Sequence, residues 1–311
     1  MNKALPKVSV VTITYGHEKY ITETLDGVLM QQYDGPVEFI IANDNSPDAT
    51  DEVVKKYFLK NPAPENFEIK YTKHDTNKGM MPNFIWALEQ ATGQYIALCE
   101  GDDYWSDKAK LQKQVDFLEN NSAFSMIFSN AKVLIQVSET DSNTNRGINI
   151  INCDRVYTGP QILEQWTVPT ATVMFRKTAL QNYLSKSYHT NPNFLFGDII
   201  LFLSLAEGGS LYGMSEYFAV YRRHEGGATN IKPSISHSIK FLNHLLEIIN
   251  IFGKKYATRK VKKFIGTFYL SIGLHSLKYR NFFKGIRYIV EAFRYNSAYT
   301  IRYFYHKIIK L

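Results

Sequence analysis

The first hundred residues alternate between two hydrophobic patterns. "KVSVVTITY" (7–15), "VEFIIAN" (37–43), "FEIKYTKH" (67–74) and "QYIALC" (94–99) are short runs rich in Val, Ile, Phe and Tyr, which predicts four strands. Between them the apolar residues recur at helical spacing. In "HEKYITETLDGVLMQQY" (17–33), Tyr20, Ile21, Leu25, Val28 and Leu29 fall on one face. "SPDATDEVVKKYF" (46–58) reads as a capped helix, "MPNFIWALEQA" (81–91) as a helix closed by Gly93, and "SDKAKLQKQVDFLE" (106–119) as the next one. Strict alternation of this kind predicts an α/β fold: a Rossmann-like, mostly parallel sheet flanked by helices on both faces.

In such sheets ligands bind beyond the carboxyl ends of the strands. Here each strand empties into a polar cluster: "TYGHE", "NDNS", "HDTNKG" and "EGDD". Asp and Asn also make turns and helix caps, so any one cluster has a local explanation. Four on one rim predict a binding cleft. The chain carries neither the phosphate-loop pattern Gly-x-x-x-x-Gly-Lys-Ser/Thr nor Gly-x-Gly-x-x-Gly after the first strand, which disfavours a P-loop hydrolase or a dinucleotide dehydrogenase. In "EGDDYW" (100–105) the carboxylates repel one another unless a cation lies between them. Their oxygens suit Mg²⁺ or Mn²⁺, with a substrate diphosphate completing the shell. The alternative is that Asp102 and Asp103 only cap the following helix, for which Ser106 and Asp107 are better placed.

Composition narrows the setting. With 311 residues, 45% hydrophobic and 21% charged, the chain suits one catalytic domain with an appendage. Two cysteines, Cys99 and Cys153, are too few for a disulfide framework or a structural zinc site, so a cytoplasmic location is expected. The N-terminus lacks the apolar stretch of a signal peptide, and no run approaches the roughly 20 residues of a spanning helix. Charge is uneven: residues 251–311 hold fourteen Lys or Arg against one acid, Glu291, a local +13, so the first 250 residues carry −6 of the net +7. This shift predicts a domain over 1–234. A helical, basic and aromatic C-terminal extension follows over 235–311. Basic amphipathic helices bind anionic membranes, so the extension is expected either to contact the inner membrane surface or to pack on the domain with its charges in water. Pairing with a second copy, as a homo-oligomer, is a further use of the same tail. No nucleic-acid module accompanies the charge.

"VSVVTITYGHEKYITETLDGVLMQQ", "EFIIANDNSPDAT", "NKGMMPNFIWALEQATGQYIALCEGDDYW", "FGDIILFLSLAEGG" and "YRRHEGG", in that order and spacing, resemble family 2 glycosyltransferases, inverting GT-A enzymes of the bacterial surface-polysaccharide type. The likeness covers roughly residues 7–230 and implies that the domain over 1–234 is catalytic, with a nucleotide-sugar half of about 1–106 and an acceptor half of about 107–234. It implies an enzyme that moves a sugar from a nucleotide-diphosphate sugar, expected to be UDP-linked, to a hydroxyl of a glycan or lipid-linked saccharide, with Mn²⁺ or Mg²⁺ as cofactor. Carried onto matching positions, it assigns Thr12, Tyr15 and Asp44 to the nucleotide, with Asn43 departing from the usual Asp. Asn77 and Lys78 fall in the loop approaching the donor. Glu100, Asp102 and Asp103 form the acidic motif, Asp102 and then Asp103 being the expected metal ligands. Arg222 and Arg223 are expected at the diphosphate, with His224 completing the metal shell.

The same resemblance gives the general base as Asp198 in "FLFGDIILFL"; the bland alternative is a helix cap. "WTVPTATVMFRKTAL" resembles the strand backing the acceptor, with Trp166, Thr170 and Thr172 as sugar contacts. The Asn-rich stretch 138–155 reads as a mobile loop able to close over the acceptor. Two other classes stay open: a sugar nucleotidyltransferase, which would need a Gly-rich basic loop that "TYGHEKY" does not supply, and a non-catalytic nucleotide- or sugar-binding scaffold of the same fold.

Overall fold

The computed structural model describes residues 4–136, 142–144, 150–186, 188–227 and 234–309. The first half runs β1 (Val8–Thr14), α1 (Ile21–Leu29), β2 (Val37–Asn43), α2 (Thr50–Lys60), β3 (Phe67–Lys73), α3 (Met80–Glu89), β4 (Tyr95–Leu98), β5 (Tyr104–Trp105) and α4 (Lys110–Asn120). The second half runs β6 (Phe124–Gln136), β7 (Ser142–Thr144), β8 (Arg155–Tyr157), α5 (Gly159–Gln165), β9 (Met174–Arg176), α6 (Lys177–Ser185), α7 (Gly197–Gly208), β10 (Ser210–His224), α8 (Ile235–Phe252), α9 (Arg259–Lys278) and α10 (Phe282–Ile309).

One sheet joins the strands in the order β3-β2-β1-β4-β9-β6-β10-β5. The β-α-β units expected over residues 8–98 are present, and β3, β2, β1 and β4 pair in parallel. Beyond β4 the sheet is mixed: β9 pairs antiparallel with β4 and β6, while β10 runs parallel to β6 and antiparallel to β5. Both faces of β1 and β2 are covered, so nearly every residue of these strands is buried, as a parallel sheet under helices requires. The register aligns Thr14 with Asn43 and Asn43 with Lys73. Because the strands end level, the four polar clusters emerge along one rim.

Local differences from the predicted elements have plain causes. The helix expected over 17–33 is Ile21–Leu29, because residues 15–20 are drawn toward α2: Gly16 N–H donates to Ser46 Oγ, His17 N–H to Thr50 Oγ1 and Glu18 N–H to Asp48 Oδ2. Helix α4 starts at Lys110 because Asp107 Oδ1 accepts the Ala109 N–H at 2.7 Å. Neither Asp102 nor Asp103 caps it. The stretch 166–180, expected as a strand, is a 3₁₀ turn (Thr170–Thr172), three residues of β9, and then α6. Half of 138–155, expected as a loop or short insertion, lies outside the described residues; the rest includes β7 and the first residue of β8.

The chain divides into two compact units, one of residues 1–158, 166–189 and 204–230, the other of 159–165, 190–203 and 231–311. The first holds the sheet and the rim. The second gathers α5, the segment carrying Asp198, and the C-terminal helices. Within it, α9 and α10 pack on each other and α8 packs on α9.

Candidate active site

The rim of the first unit brings His17, Asp102 and His224 together, one ligand atom of each lying within 4.8 Å of the others. They come from the end of β1, the turn after β4 and the end of β10. His224 Nε2 is 3.1 Å from Asp102 Oδ2, and His17 Nε2 is 3.9 Å from the same oxygen. His17 Nδ1 lies 3.2 Å from Thr14 Oγ1, so the other ring nitrogen is the one turned to Asp102, the orienting role a metal-ligating histidine needs from its neighbours. The turn between Glu100 and Asp102 must pass close against this pair. A Cβ at Gly101 would stand 2.8 Å from Thr14 Cβ and 2.9 Å from His17 Nδ1, so glycine is the residue that fits.

The electrostatics favour ligation. Burial holds His17 below the ordinary histidine value, against the pull of Asp102, which keeps its imidazole neutral. Burial works to raise Asp102, but the His224 hydrogen bond holds it below the usual carboxylate range. A deprotonated carboxylate between two imidazoles is a donor set that fits a divalent cation, and the nitrogens favour Mn²⁺ over Mg²⁺.

Asp103 takes another part. It is buried, its Oδ1 accepts the Arg222 N–H at 2.8 Å, and burial together with the Asp102 charge pushes its carboxyl well above the usual range. It stands outside the His17–Asp102–His224 cluster. Arg222 is likewise committed. Its Nε donates to Asp102 O at 2.8 Å, Nη1 to Gln136 and Nη2 to Glu23, with Tyr20 and Tyr104 against the guanidinium. With those donors taken and the side chain buried, Arg222 braces the acidic turn. Arg223, next along β10, is exposed.

At the neighbouring strand ends, Asp44 joins two predicted residues. Its Oδ1 accepts from Lys78 N–H at 2.7 Å and its Oδ2 from Gly79 N–H at 2.9 Å, while Asn77 Oδ1 also accepts from Gly79. Gly79 has φ of +90°, a conformation that glycine adopts without strain. Lys78 is exposed, and so is Tyr15, whose ring offers a flat face at the rim. Asn43 departs from aspartate for a local reason: its Oδ1 accepts from Ser46 N–H while its amide donates to Tyr71 Oη. Glu100 is half-buried at the same turn.

Two of the expected contact residues are buried. Thr12 is fully buried inside β1; the rim begins only after Thr14. Thr172 is also fully buried, its Oγ1 accepting from Ser129 N–H and lying 2.8 Å from Pro169 O. It clamps the 3₁₀ turn to β6 and is closed to an acceptor sugar. Trp166 is exposed and Thr170 half-buried.

Asp198 lies in the second unit, half-buried in the first turn of α7, where its Oδ1 accepts the Ile199 N–H at 2.8 Å. The segment before it is tied to α8 of the same unit. Leu195 N–H donates to His244 Nδ1 at 3.2 Å and Asn191 Nδ2 to Glu247 Oε1 at 2.9 Å. Phe194, Phe196 and Phe241 surround the His244 ring. The sequence reading missed His17 and this role of α8. His17 was legible as the imidazole of the first rim cluster; nothing in the sequence pairs Leu195 with His244.

The acids and histidines gathered where β1, β4 and β10 end mark the candidate site of an α/β protein. The profile of "Glycosyl transferase family 2" matches residues 9–183, and the chain belongs to that family. A Mycobacterium tuberculosis (strain H37Rv) relative, the uncharacterized protein Rv1520, is 34% identical over 221 residues, 71% of this chain and 60% of its own. The match thus spans well under two thirds of that relative. TuaG of Bacillus subtilis (strain 168), named provisionally as a teichuronic acid biosynthesis glycosyltransferase, is 27% identical over 83% of this chain and 97% of its own. Among solved structures, Staphylococcus aureus TarS 1-349 with UDP-GlcNAc superposes with a TM-score of 0.61 at 18% identity, over 94% of this chain and 91% of that one. The mannosyltransferase PcManGT of Pyrobaculum calidifontis, with GDP-Man and Mn²⁺, gives 0.55 at 14%, over 96% and 88%. The fold is GT-A.

Proposed function

We propose that this protein is an inverting, metal-assisted glycosyltransferase that moves a sugar from a nucleotide-diphosphate sugar to a hydroxyl of a glycan or lipid-linked saccharide. The observation that carries the reading is the His17–Asp102–His224 cluster, within 4.8 Å, on the rim where the parallel strands end. Tyr15 and the loop held by Asp44 are the surfaces for base and ribose, and Lys78 and Arg223 are the exposed cations available to phosphate. UDP is the nucleotide we favour, since the TarS complex holds UDP-GlcNAc. Bound at the cluster, Mn²⁺ would supply charge stabilisation for the departing diphosphate.

The rest of the reaction falls to side chains. Asp198 takes the proton of the acceptor hydroxyl as the oxygen attacks the anomeric carbon from the face opposite the leaving group. The bond from that carbon to the diphosphate oxygen breaks, and its electron pair leaves with the nucleoside diphosphate. Trp166 and Thr170 are the acceptor contacts that remain accessible. A surface polysaccharide unit on a lipid carrier fits as acceptor, and would place the reaction at the inner face of the cytoplasmic membrane, toward which the basic 235–311 region is drawn electrostatically.

A panel of nucleotide sugars, assayed for binding and nucleotide release with and without Mn²⁺ or Mg²⁺, tests the reading. The expected result is metal-dependent binding of one donor with slow hydrolysis to the nucleoside diphosphate. Failure to bind any donor with either metal would contradict it.

A further inference from the structure

Helices α9 and α10 form a hairpin in which glycines admit large side chains of the facing helix, Ile289 against Gly273 and Leu277 against Gly285, with Tyr269 between Tyr288 and Tyr295, while a further row of apolar side chains is left outside. A Cβ at Gly273 would stand 3.1 Å from Gly285 O, and one at Gly266 would stand 3.3 Å from Ala292 O. These contacts fix an antiparallel register in which the two backbones approach closely, the arrangement that small residues permit between helices in apolar surroundings. On the outer side of α10, Phe282, Phe283, Ile286, Val290 and Phe293 are exposed by 58, 93, 58, 45 and 39%. At helical spacing these five fall within an arc of about 100°. Arg287 and Arg294 border the arc, Lys284 is exposed further round α10, and Lys278, Tyr279 and Arg280 are exposed in the adjoining turn. The one acid of the region, Glu291, is taken by Arg294, its Oε1 lying 2.6 Å from Nη1.

We propose that this hairpin docks on an anionic lipid bilayer, with the aromatic arc in the acyl boundary and the lysines and arginines among the headgroups. Charge selects this occupant. A second copy would bring one uncompensated basic face against another, whereas anionic headgroups neutralise it and leave the Phe and Ile side chains an apolar layer to enter. The element lies in the interface and does not cross it: among the described residues no helix is long and apolar enough to span. The proposal deepens the membrane location in the transferase reading and uses that reading for its purpose, while binding itself is independent of catalysis.

The test is flotation of the purified full chain with phosphatidylcholine vesicles, with and without phosphatidylglycerol. Flotation is expected with the anionic vesicles and is expected to fall as salt is raised. Phe283→Ser with Ile286→Ser should weaken it about tenfold, and Arg287→Gln about fivefold. Both positions of the double variant are solvent-facing, and circular dichroism checks that it folds. Tryptophan fluorescence of Phe283→Trp should be quenched by brominated acyl chains. Absence of flotation, flotation unchanged in the double variant, or an unquenched tryptophan would each overturn the proposal. So would light scattering that shows a dimer dissolved by the double variant, since the face would then be a self-association surface. Donor hydrolysis in solution, measured on the same preparations, separates the two readings. Its absence from the wild type sinks the transferase alone, and its presence without flotation sinks the docking alone.

Discussion

Around Asp102 polar groups meet polar groups: two imidazoles face the carboxylate, and Arg222 ties the turn to Glu23, Gln136 and Asp103. Around the segment that carries Asp198 the material is different. A buried histidine accepts one backbone N–H there, phenylalanine rings enclose it, and an Asn–Glu hydrogen bond closes the segment. The contrast suggests a division of labour. A cation site needs deprotonated ligands in fixed directions, which a hydrogen-bonded network supplies. A base needs a carboxylate on a firm support that does not compete for its proton, which apolar packing supplies.

The largest effect expected from breaking this contrast is at the base. Asp198→Asn should lower transfer by about 10²–10⁴-fold and leave donor affinity unchanged by calorimetry; unchanged turnover would remove Asp198 from the mechanism. Asp102→Asn should act on the opposite property, lowering Mn²⁺-dependent donor binding on the order of 10³-fold, and equal donor affinity with and without metal in the wild type would contradict that.

The supports should separate by pH. Burial holds His244 down to about 4, against about 6.5 in an unfolded chain. Between those values the unfolded chain binds the extra proton. The stability associated with neutral His244 is therefore full above pH 6.5 and lost as pH falls through 4, a loss of about 3 kcal/mol. Denaturant melts from pH 7 to 4 should show this fall in the wild type and a flatter profile in His244→Asn, whose amide oxygen can still accept from Leu195. Equal slopes would mean that His244 carries no such linkage.

His17→Ala should weaken Mn²⁺ binding about 10- to 100-fold, less than loss of the shared carboxylate. The smallest effect is at Thr172. Thr172→Val should cost about 1 kcal/mol by removing the acceptor for Ser129 N–H and leave acceptor KM unchanged, whereas a raised KM would return Thr172 to the acceptor site.

What could be read from the sequence followed the range of the interactions. Strands β1 to β4 and their rim were legible because strand and helix periodicities are local and the polar clusters fall where each run ends. Side-chain direction was harder. Thr12 and Thr172 carry the hydroxyls a ligand site uses, but a doubly covered strand and a 3₁₀ turn against β6 enclose them, and nothing beside them in the sequence marks that burial. Arg222 looked free because its partners Glu23, Asp102 and Gln136 lie far away in the chain. Asp103, adjacent to Asp102, points elsewhere because the backbone of β10 claims its oxygen.

Manganese titration followed by electron paramagnetic resonance, in the presence of UDP, tests the central claim most directly. The account predicts one tight Mn²⁺ site in the wild type, weakened in His17→Ala and lost in Asp102→Asn and His224→Ala, with Asp103→Asn still binding one ion. A site that survived Asp102→Asn, or that vanished with Asp103→Asn in a protein still folded by circular dichroism, would contradict it.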